Sequence, residues 1–236
     1  MLLEEIKNIE FYTGSKKDLH VVSVTEVCDN EPLLGYYRRM YEPMKSGVSQ
    51  ATLGNIFDIG MKTIIKERIK GNYSEGIRLN YTTPNGHKLT GEPDIINVQE
   101  KEIYDVKLTK VYKYLMVLKN QREDSYVKQL NFYALMLGWE NPNLFLFMGL
   151  KDQNKAKPKD PDAIEELKVE NIAFNELNEM IDDYYIKLQS LLSGSEKLPE
   201  KCENTFGNDM KCKDYCDYVH VCKYGKKYNT IASSWF

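Results

Sequence analysis

The sequence predicts an α/β fold, and three stretches support that prediction. Residues 50–70 are predicted to form a strong amphipathic helix, because apolar residues recur at spacings of three and four. Residues 76–108 contain three predicted strands, and the turn residues Pro84-Asn85-Gly86-His87 separate the first two. Residues 124–138 return to the helical spacing, and a short apolar run follows at 143–150. This mixture of helices and strands indicates a sheet with helices on its faces.

Composition and charge limit the classes of protein to consider. A length of 236 residues fits one domain, or one domain with a modest appendage, and 42% hydrophobic residues are ordinary for a globular chain. The net charge of −3 gives no overall basic field, so a nucleic acid would have to meet a local patch and metal ions. Acidic residues stand where a signal peptide needs basic ones, and no apolar run reaches membrane-spanning length. We therefore expect a cytoplasmic protein without a membrane partner.

The N-terminal part is predicted to be largely helical. Residues 1–22 form a short helical or extended lead-in. Ser23 and Glu26 then fit a capping box, which predicts a short helix that carries Cys28. Residues 33–42 are expected to continue as a helix after a proline, because proline is tolerated in the first helical turn.

The central part is predicted as a three-stranded meander. Its strands are residues 76–83, residues 88–98 and residues 102–108, joined by two turns. Residues 109–123 mix lysines with aromatic side chains. Such a mixture suits either a platform for single-stranded nucleic acid or a loop leading into the next helix, and the pattern slightly favours the loop.

The remaining elements complete the predicted domain. Residues 151–162 contain prolines and lysines and are predicted to be an exposed loop. Residues 166–173 fit an edge strand, and residues 174–193 fit another amphipathic helix that ends near Gly194. The tail from about residue 199 has few aliphatic side chains, so something other than an apolar core must order it.

The third predicted strand carries the chemistry. A period of two places Ile103, Asp105 and Lys107 on one face and turns Tyr104, Val106 and Leu108 into a core. Two carboxylates, Asp94 and Asp105, together with a peptide carbonyl make a hard oxygen site for Mg²⁺ or Mn²⁺. A lysine beside such an ion can hold or activate a water for attack on phosphorus. The alternative is a cross-strand ion pair at a strand end, and the Asp-x-Lys tripeptide alone favours that alternative.

Five cysteines form the second chemical signal. Thiols stay reduced in the cytoplasm, so metal ligands or free thiols are more plausible than disulfides. Four of the five lie in the tail, at Cys202, Cys212, Cys216 and Cys222. Thiolates that bind a metal can order a segment that lacks its own core.

The order of these motifs resembles the PD-(D/E)XK nuclease superfamily, and within it the RecB-type exonuclease branch, including CRISPR-associated and AddB-like members with cysteine clusters. Gly91-Glu92-Pro93-Asp94 fits the Gly-x-x-Asp motif, and Asp105-Val106-Lys107 fits the (Asp/Glu)-x-Lys motif. Gln129-x-x-x-Tyr133 fits the signature of the RecB branch. The resemblance spans roughly residues 23–222. It implies a restriction-endonuclease-like core, a central mixed sheet flanked by helices, with a cysteine-rich C-terminal segment closing onto the N-terminal part.

This resemblance also implies an activity and a division of the chain. Residues 1–198 would be the nuclease core, and residues 199–236 the cluster-binding tail. The activity implied is metal-dependent DNA exonuclease cleavage, preferentially at single-stranded ends, in recombination, repair or CRISPR spacer processing, with protein partners from those systems. Two other functions stay open: a catalytically idle DNA-binding module of the same fold, and an iron–sulfur redox protein. The intact acids and lysine argue against the first, and the lack of a flavin-site motif argues against the second.

The resemblance assigns roles to individual residues. Asp94, Asp105 and the carbonyl of Val106 would bind Mg²⁺ or Mn²⁺. Lys107 would orient or deprotonate the attacking water, with its pKa lowered by the cation. Gln129 could donate to a phosphate or to the water, and Tyr133 could pack against Gln129 or contact the strand.

Asp58 departs from the family pattern. RecB-type nucleases usually carry a histidine at the end of a Gly-x-x-x-His pattern in this helix, whereas Gly54 is followed here by Asp58. One interpretation is an acid that interacts with the helix dipole or a neighbouring lysine. The other is a third metal ligand shared with Asp94 and Asp105, which would harden the site and favour Mg²⁺ over Mn²⁺.

In the iron–sulfur members, one cysteine precedes the nuclease core and three follow it. Here Cys28 precedes the core, and Cys212, Cys216 and Cys222 follow it. The resemblance therefore implies a [4Fe–4S] cluster that joins the two ends of the domain, with Zn²⁺ as the alternative metal. Three residues separate Cys212 from Cys216, where the family more often has two, so Cys202 is an alternative to Cys212.

Overall fold

The structure, a computed structural model, describes residues 17–43, 50–68, 71–152, 161–203 and 216–226. Its helices are α1 (Val24–Asp29), α2 (Pro32–Met40), α3 (Gln50–Arg68), α4 (Val111–Lys119), α5 (Ser125–Leu137) and α6 (Phe174–Ser193). Its strands are β1 (Val21–Ser23), β2 (Tyr73–Glu75), β3 (Leu79–Thr82), β4 (Lys88–Gly91), β5 (Ile95–Asn97), β6 (Glu102–Thr109), β7 (Asn143–Leu150) and β8 (Ile164–Lys168).

The strands form two sheets. The first has the order β1-β4-β3, and the second has the order β2-β5-β6-β7-β8. Strands β6 and β7 pair in parallel over their whole length, while β5 and β8 run antiparallel to their neighbours. Helices pack against the sheets, with α5 contacting β6 and β7. The predicted α/β class with a mixed sheet flanked by helices is confirmed.

The predicted meander was wrong at its second strand. Residues 88–98 split into β4 and β5, which belong to different sheets. The break falls at Glu92-Pro93-Asp94, because Pro93 has no N–H to donate to a strand ladder. The N–H of Gly76 instead donates to the Asp94 carbonyl at 3.1 Å, and any Cβ at Gly76 would clash with the Pro93 carbonyl oxygen. Asp94 therefore lies in the segment that connects β4 of the first sheet to β5 of the second.

The core lies on the face of β6 opposite to the one predicted. Ile103 is completely buried and Asp105 is nearly so, and Ile103 belongs to the main apolar cluster. On the face predicted as core, Val106 is buried but lies outside that cluster, and Tyr104 and Leu108 are half-buried. The reason is that the main apolar cluster fills the space between the Asp105 face and the helices α5 and α6. Helix α3 covers part of the other face, where a Cβ at Gly149 would come within 2.5 Å of the Phe57 ring.

Other local predictions are confirmed or corrected. The capping box is present: the Ser23 hydroxyl accepts from the Glu26 N–H, and the Glu26 carboxylate accepts from the Ser23 N–H. Residues 109–123 are not a loop, since α4 forms there and buries Val117. The edge strand predicted at 166–173 lies earlier, at β8. Most of the predicted lead-in at 1–22 and of the predicted loop at 151–162 lies outside the described residues.

The described parts of the tail pack against α2. Tyr218 and Cys222 form a small apolar cluster with Leu33, Leu34 and Tyr37. The N–H of Glu203 donates to the Glu31 carboxylate, just before α2 begins, at 3.2 Å. The division of the chain at residue 198 stays a prediction. None of the helices in the described ranges is both long enough and apolar enough to cross a bilayer.

Candidate active site

Asp94 lies where the five-stranded sheet opens. The pairing of β5 with β6 ends at Ile95 opposite Tyr104, one step before Asp94 would face Asp105. The N–H of Val106 therefore donates to the Asp94 side chain, to Oδ2 at 2.8 Å, and not to a neighbouring strand. The N–H and C=O of an extended residue point to the same side, so the Val106 carbonyl is directed to the same edge. A carboxylate and a peptide carbonyl thus meet at this opening.

Asp105 and Lys107 share the core-facing side of β6. The Lys107 ammonium lies 2.8 Å from Oδ1 and 2.7 Å from Oδ2 of Asp105, and Asp105 is 1% exposed. Oδ2 is buried and, among the described residues, has no hydrogen bond of good geometry. Burial raises the pKa of Asp105 to about 7; Lys107 opposes this rise and Asp94 adds to it. Burial lowers the pKa of Lys107, but Asp105 and Asp94 outweigh that effect, so the pKa is raised overall.

Asp58, on α3, is linked to Asp94 by Lys62, a lysine that the sequence did not single out. The Lys62 ammonium lies 2.9 Å from Oδ2 of Asp58 and 3.1 Å from Oδ1 of Asp94. The spacing of four residues in a predicted helix was the available signal for the Asp58–Lys62 pair. Burial raises the pKa of Asp58, Lys62 opposes this effect and Asp94 adds to it. In this arrangement Asp58 contacts a neighbouring lysine, which was the first of its two interpretations.

Gln129 and Tyr133 lie on the buried side of α5. The Gln129 amide donates to the Tyr133 hydroxyl at 2.8 Å. Burial and the nearby Asp105 raise the pKa of Tyr133, so the phenol keeps its proton. A Cβ at Gly91 would come within 2.8 Å of the Tyr133 ring. The Gly-x-x-Asp and Gln-x-x-x-Tyr motifs therefore meet, and Gly91 provides the room for the tyrosine.

A basic and aromatic row leads away from the site. The Tyr126 ring lies 5.5 Å from the Lys107 ammonium and 4.5 Å from that of Lys113 on α4. Lys113 also pairs with Asp124 at 2.5 Å. Beyond this row, α4 exposes 71% of Tyr112. The helical spacing over residues 124–138 does not reveal this role of Tyr126, because an aromatic ring in the core and one beside two lysines follow the same spacing.

The predicted cysteine set is only partly brought together. Cys202, Cys216 and Cys222 belong to the cluster on α2. Cys28 packs instead against the main core, where burial, Asp29 and Asp105 raise its pKa. Cys212 lies outside the described residues. The position of Cys28 follows from α1, which packs mainly against α5.

The oxygen atoms at the sheet opening fit a hard cation in their chemistry. Oδ1 of Asp58 is buried without a hydrogen-bond partner among the described residues, and Oδ2 of Asp105 is buried with only the Lys107 ammonium beside it, at 2.7 Å. The Val106 carbonyl is directed to the same edge. Carboxylate and carbonyl oxygens are the ligands that Mg²⁺ and Mn²⁺ prefer. Within the described ranges, however, no three acidic, histidine or cysteine side chains converge closely enough to hold a metal ion. Lys62 and Lys107 pair with the three carboxylates as they stand.

The fold and this site together define a class: α/β proteins with an acid pair and a lysine at the open edge of a mixed sheet. A model of the PD-(D/E)XK nuclease superfamily matches residues 51–223, and the chain belongs to that superfamily. The superfamily predicted from the motifs is thereby confirmed, and assignment to its RecB-type branch stays a prediction.

Two solved structures are similar to this chain at low sequence identity, and the first of them shares its fold. The crystal structure of SSO0001 is 16% identical, with a TM-score of 0.60, over 95% of this chain and 98% of that chain. The crystal structure of a phage related exonuclease from Haemophilus somnus 129PT is 14% identical, with a TM-score of 0.45, over 73% of this chain and 83% of that chain. Among curated protein sequences, none matches this one significantly.

Proposed function

We propose that the protein is a metal-dependent deoxyribonuclease that removes nucleotides from single-stranded DNA ends. The observation that carries this proposal is the pairing of a buried Asp105 with Asp94 and Lys107 at the sheet opening. Membership of the nuclease superfamily supports phosphodiester hydrolysis. Processing of single-stranded ends suits recombination, repair and CRISPR spacer processing, the settings that the family resemblance implies.

The metal would be held by Asp94, Asp105 and the Val106 carbonyl, with Asp58 as a further ligand. A bound Mg²⁺ or Mn²⁺ supplies a Lewis acid for the phosphodiester and lowers the pKa of an attacking water. Asp94 is already oriented for this role, because the Val106 N–H fixes one of its oxygens. Asp105 is fixed by its burial and by Lys107.

Lys107 holds and orients the attacking water. Its pKa is raised by Asp105 and Asp94 despite burial, so its ammonium keeps the proton in this arrangement. A protonated lysine donates hydrogen bonds and cannot accept a proton. We therefore assign Lys107 to positioning the water and to pairing with a phosphate oxygen, and not to deprotonation before the metal binds.

Gln129 and Tyr133 support the site from α5. Because one N–H of the Gln129 amide donates to the Tyr133 hydroxyl, the second N–H remains for a phosphate oxygen or a water, and the amide oxygen remains to accept from a water. Tyr133 fills the space beside Gly91 and fixes the amide. Both residues position other groups and do not hold the ion.

The surface near the site favours single-stranded DNA. Helix α4 follows β6 directly and exposes the ring of Tyr112, on which an unpaired base can stack. Lys107, Tyr126 and Lys113 form a row between that helix and the carboxylates. Both lysines pair with acids, Lys107 with Asp105 and Lys113 with Asp124, so binding of the DNA phosphates would also need the metal ions.

Digestion of end-labelled DNA with Mg²⁺ or Mn²⁺ tests the proposal. We expect linear single strands to be shortened from an end, with closed single-stranded circles resistant and Asp105→Asn inactive. Cleavage of the circles at the same rate would show an endonuclease. Binding of the linear strand without any cleavage, with metal present, would instead support the DNA-binding module.

We also propose that the tail cysteines hold an iron–sulfur cluster, with zinc as the alternative. Cys202 and Cys216 both pack against the small cluster that contains Cys222, and this common location supports Cys202 as a ligand, although the three thiols do not converge as a metal site within the described ranges. Protein purified without oxygen should contain iron and absorb near ~400 nm. Cys202→Ser and Cys28→Ser are the matched variants. Metal loss in Cys202→Ser alone would favour a cluster bound by the cysteines that pack on α2. Metal loss in Cys28→Ser would favour the ligand set that the family resemblance implies, which includes Cys28.

A further inference from the structure

Lys62 occupies an unusual position for a helix lysine. It projects from α3 and lies between two acids, 2.9 Å from Oδ2 of Asp58 and 3.1 Å from Oδ1 of Asp94. The first contact is an ordinary pair one helical turn apart. The second joins α3 to the loop that carries a proposed metal ligand.

The oxygen of Asp94 that Lys62 contacts is the one that a metal ion would need. Oδ2 of Asp94 accepts the Val106 N–H at 2.8 Å, so Oδ1 is the oxygen left for a cation. Lys62 contacts that oxygen. A Mg²⁺ ion requires carboxylate oxygens at about 2.0–2.1 Å, and it cannot share this space with an ammonium group.

The charges explain why a lysine stands there. Asp94 repels both Asp58 and Asp105, since it raises the pKa of each of them. Although burial lowers the pKa of Lys62, its contacts with Asp58 and Asp94 raise it overall, so it stays an ammonium. One positive charge between two carboxylates lowers the repulsion that the unloaded site would otherwise contain.

We propose that Lys62 is a built-in competitor of the divalent cation. It holds Asp58 and Asp94 together while the site is unloaded, and the incoming ion displaces it from both. Lys62 thereby raises the metal concentration at which the nuclease becomes active. This inference rests on the proposed function, because it takes Asp94 and Asp105 as ligands of the ion.

The test measures metal binding by the full-length protein without DNA. Mn²⁺ is titrated and followed by the electron paramagnetic resonance signal of the free ion, and Mg²⁺ binding is followed by calorimetry. Lys62→Met removes the charge at similar length, and Lys62→Arg keeps it. Lys187→Met removes an exposed lysine of α6 and controls for net charge. Lys62→Gln replaces Lys62→Met should the latter fail to fold, as judged by circular dichroism.

We expect Lys62→Met to bind Mn²⁺ at least tenfold more tightly than wild type, with Lys62→Arg and Lys187→Met within about twofold. The rise in melting temperature on adding saturating Mn²⁺ should also be larger in Lys62→Met, because an ion that binds the folded state more tightly stabilises it more. Equal or weaker Mn²⁺ binding by Lys62→Met would overturn the inference.

The failure of this inference can be told apart from the failure of the proposed function. Asp105→Asn should abolish Mn²⁺ binding if the site is the metal site. Wild-type Mn²⁺ binding that Asp105→Asn leaves unchanged, or no Mn²⁺ binding at all, would remove both proposals. Binding that depends on Asp105 but is unaffected by Lys62→Met would remove only the role of Lys62.

Discussion

Two buried carboxylates in this protein have opposite properties. Glu26, on α1, accepts from the Arg39 guanidinium at 2.9 Å and from the Lys17 ammonium at 3.2 Å, and its second oxygen also accepts from the backbone N–H and the hydroxyl of Ser23. Burial alone would raise its pKa, but Lys17 and Arg39 lower it to about 2. Glu26 is thus ionised, and both of its oxygens accept hydrogen bonds.

Asp105 is equally buried and has the opposite pKa shift. Burial raises its pKa to about 7, Lys107 only partly compensates, and Asp94 adds a second negative charge. One of its oxygens has no hydrogen bond of good geometry among the described residues. Burial is common to both acids, so the number of donors decides the difference. Glu26 therefore stabilises the fold. Asp105 has Lys107 alone to offset its own charge and that of Asp94, so an additional cation would stabilise its ionised form.

The strongest test of this contrast is Asp105→Asn, which keeps the shape and removes the charge. We expect cleavage to fall by about 10⁴-fold or more, because the Lewis acid contributes several kcal/mol at the transition state. Asp94→Ala and Lys107→Ala should be similarly inactive. All three should remain folded, as judged by circular dichroism and thermal melting. Cleavage at the wild-type rate by Asp105→Asn would refute the assignment.

The matching substitution in the other cluster is Glu26→Gln. It leaves Arg39 and Lys17 without their carboxylate, and removing one partner of a buried ion pair costs about 3–5 kcal/mol of unfolding free energy. Urea unfolding measures this loss. Cleavage per folded molecule should stay at the wild-type level. A loss of stability below about 1 kcal/mol would mean that Glu26 is not the centre of a stabilising cluster.

Asp58 tests how far the active-site cluster extends. If Asp58 is a metal ligand, Asp58→Ala should be nearly inactive, about 100-fold below wild type, because the ion loses a carboxylate. Asp58→His should recover activity and shift the preference from Mg²⁺ toward Mn²⁺, since imidazole is a softer ligand. Metal-dependence kinetics on the three proteins provide the measurement. Full activity in Asp58→Ala would show that Asp58 only pairs with Lys62.

The stability that the Glu26 cluster contributes should be lost in acid. The pKa of Glu26 in the folded state, about 2, lies below its ordinary value of 4.5. Its stabilising contribution is therefore complete above about pH 4.5 and is lost as the pH falls from there through 2. Urea unfolding near neutral pH, at about pH 4.5 and at about pH 3 should show the gap between wild type and Glu26→Gln shrinking in the last step. A difference in unfolding free energy between the two proteins that stays constant with pH would contradict the lowered pKa of Glu26.

The parts of the fold that the sequence predicted are those set by local pattern. The Ser23–Glu26 capping box and the helices α3, α5 and α6 follow from residues within one or two turns of each other. The pairing of β1 with β4 could not be predicted, because each strand is short and no periodicity develops in three or four residues. Strand β2 was missed for the same reason.

The site was predicted as a set of motifs but not as a geometry. Asp94, Asp105 and Lys107 were found because an acid and a lysine interrupt an apolar strand. Lys62 was missed, since a lysine four residues from an acid is typical of any exposed helix. The placement of Cys28 beside the main core depends on which side α1 buries, and that side is fixed by packing against α5, far along the chain.

Gln129→Ala should have the smallest effect. Its amide donates to the Tyr133 hydroxyl at 2.8 Å, so it positions groups near Asp105 and does not hold the ion. We expect cleavage to fall by about 100-fold or less, because misplacement of a positioned group costs up to about 100-fold. Tyr133→Phe removes the acceptor of that hydrogen bond and should cause a similar loss if Gln129 acts through Tyr133. The loss should appear in kcat with little change in KM for DNA, and Mn²⁺ affinity should be unchanged. A loss equal to that of Asp94→Ala, or weaker Mn²⁺ binding, would place Gln129 among the residues that hold the metal.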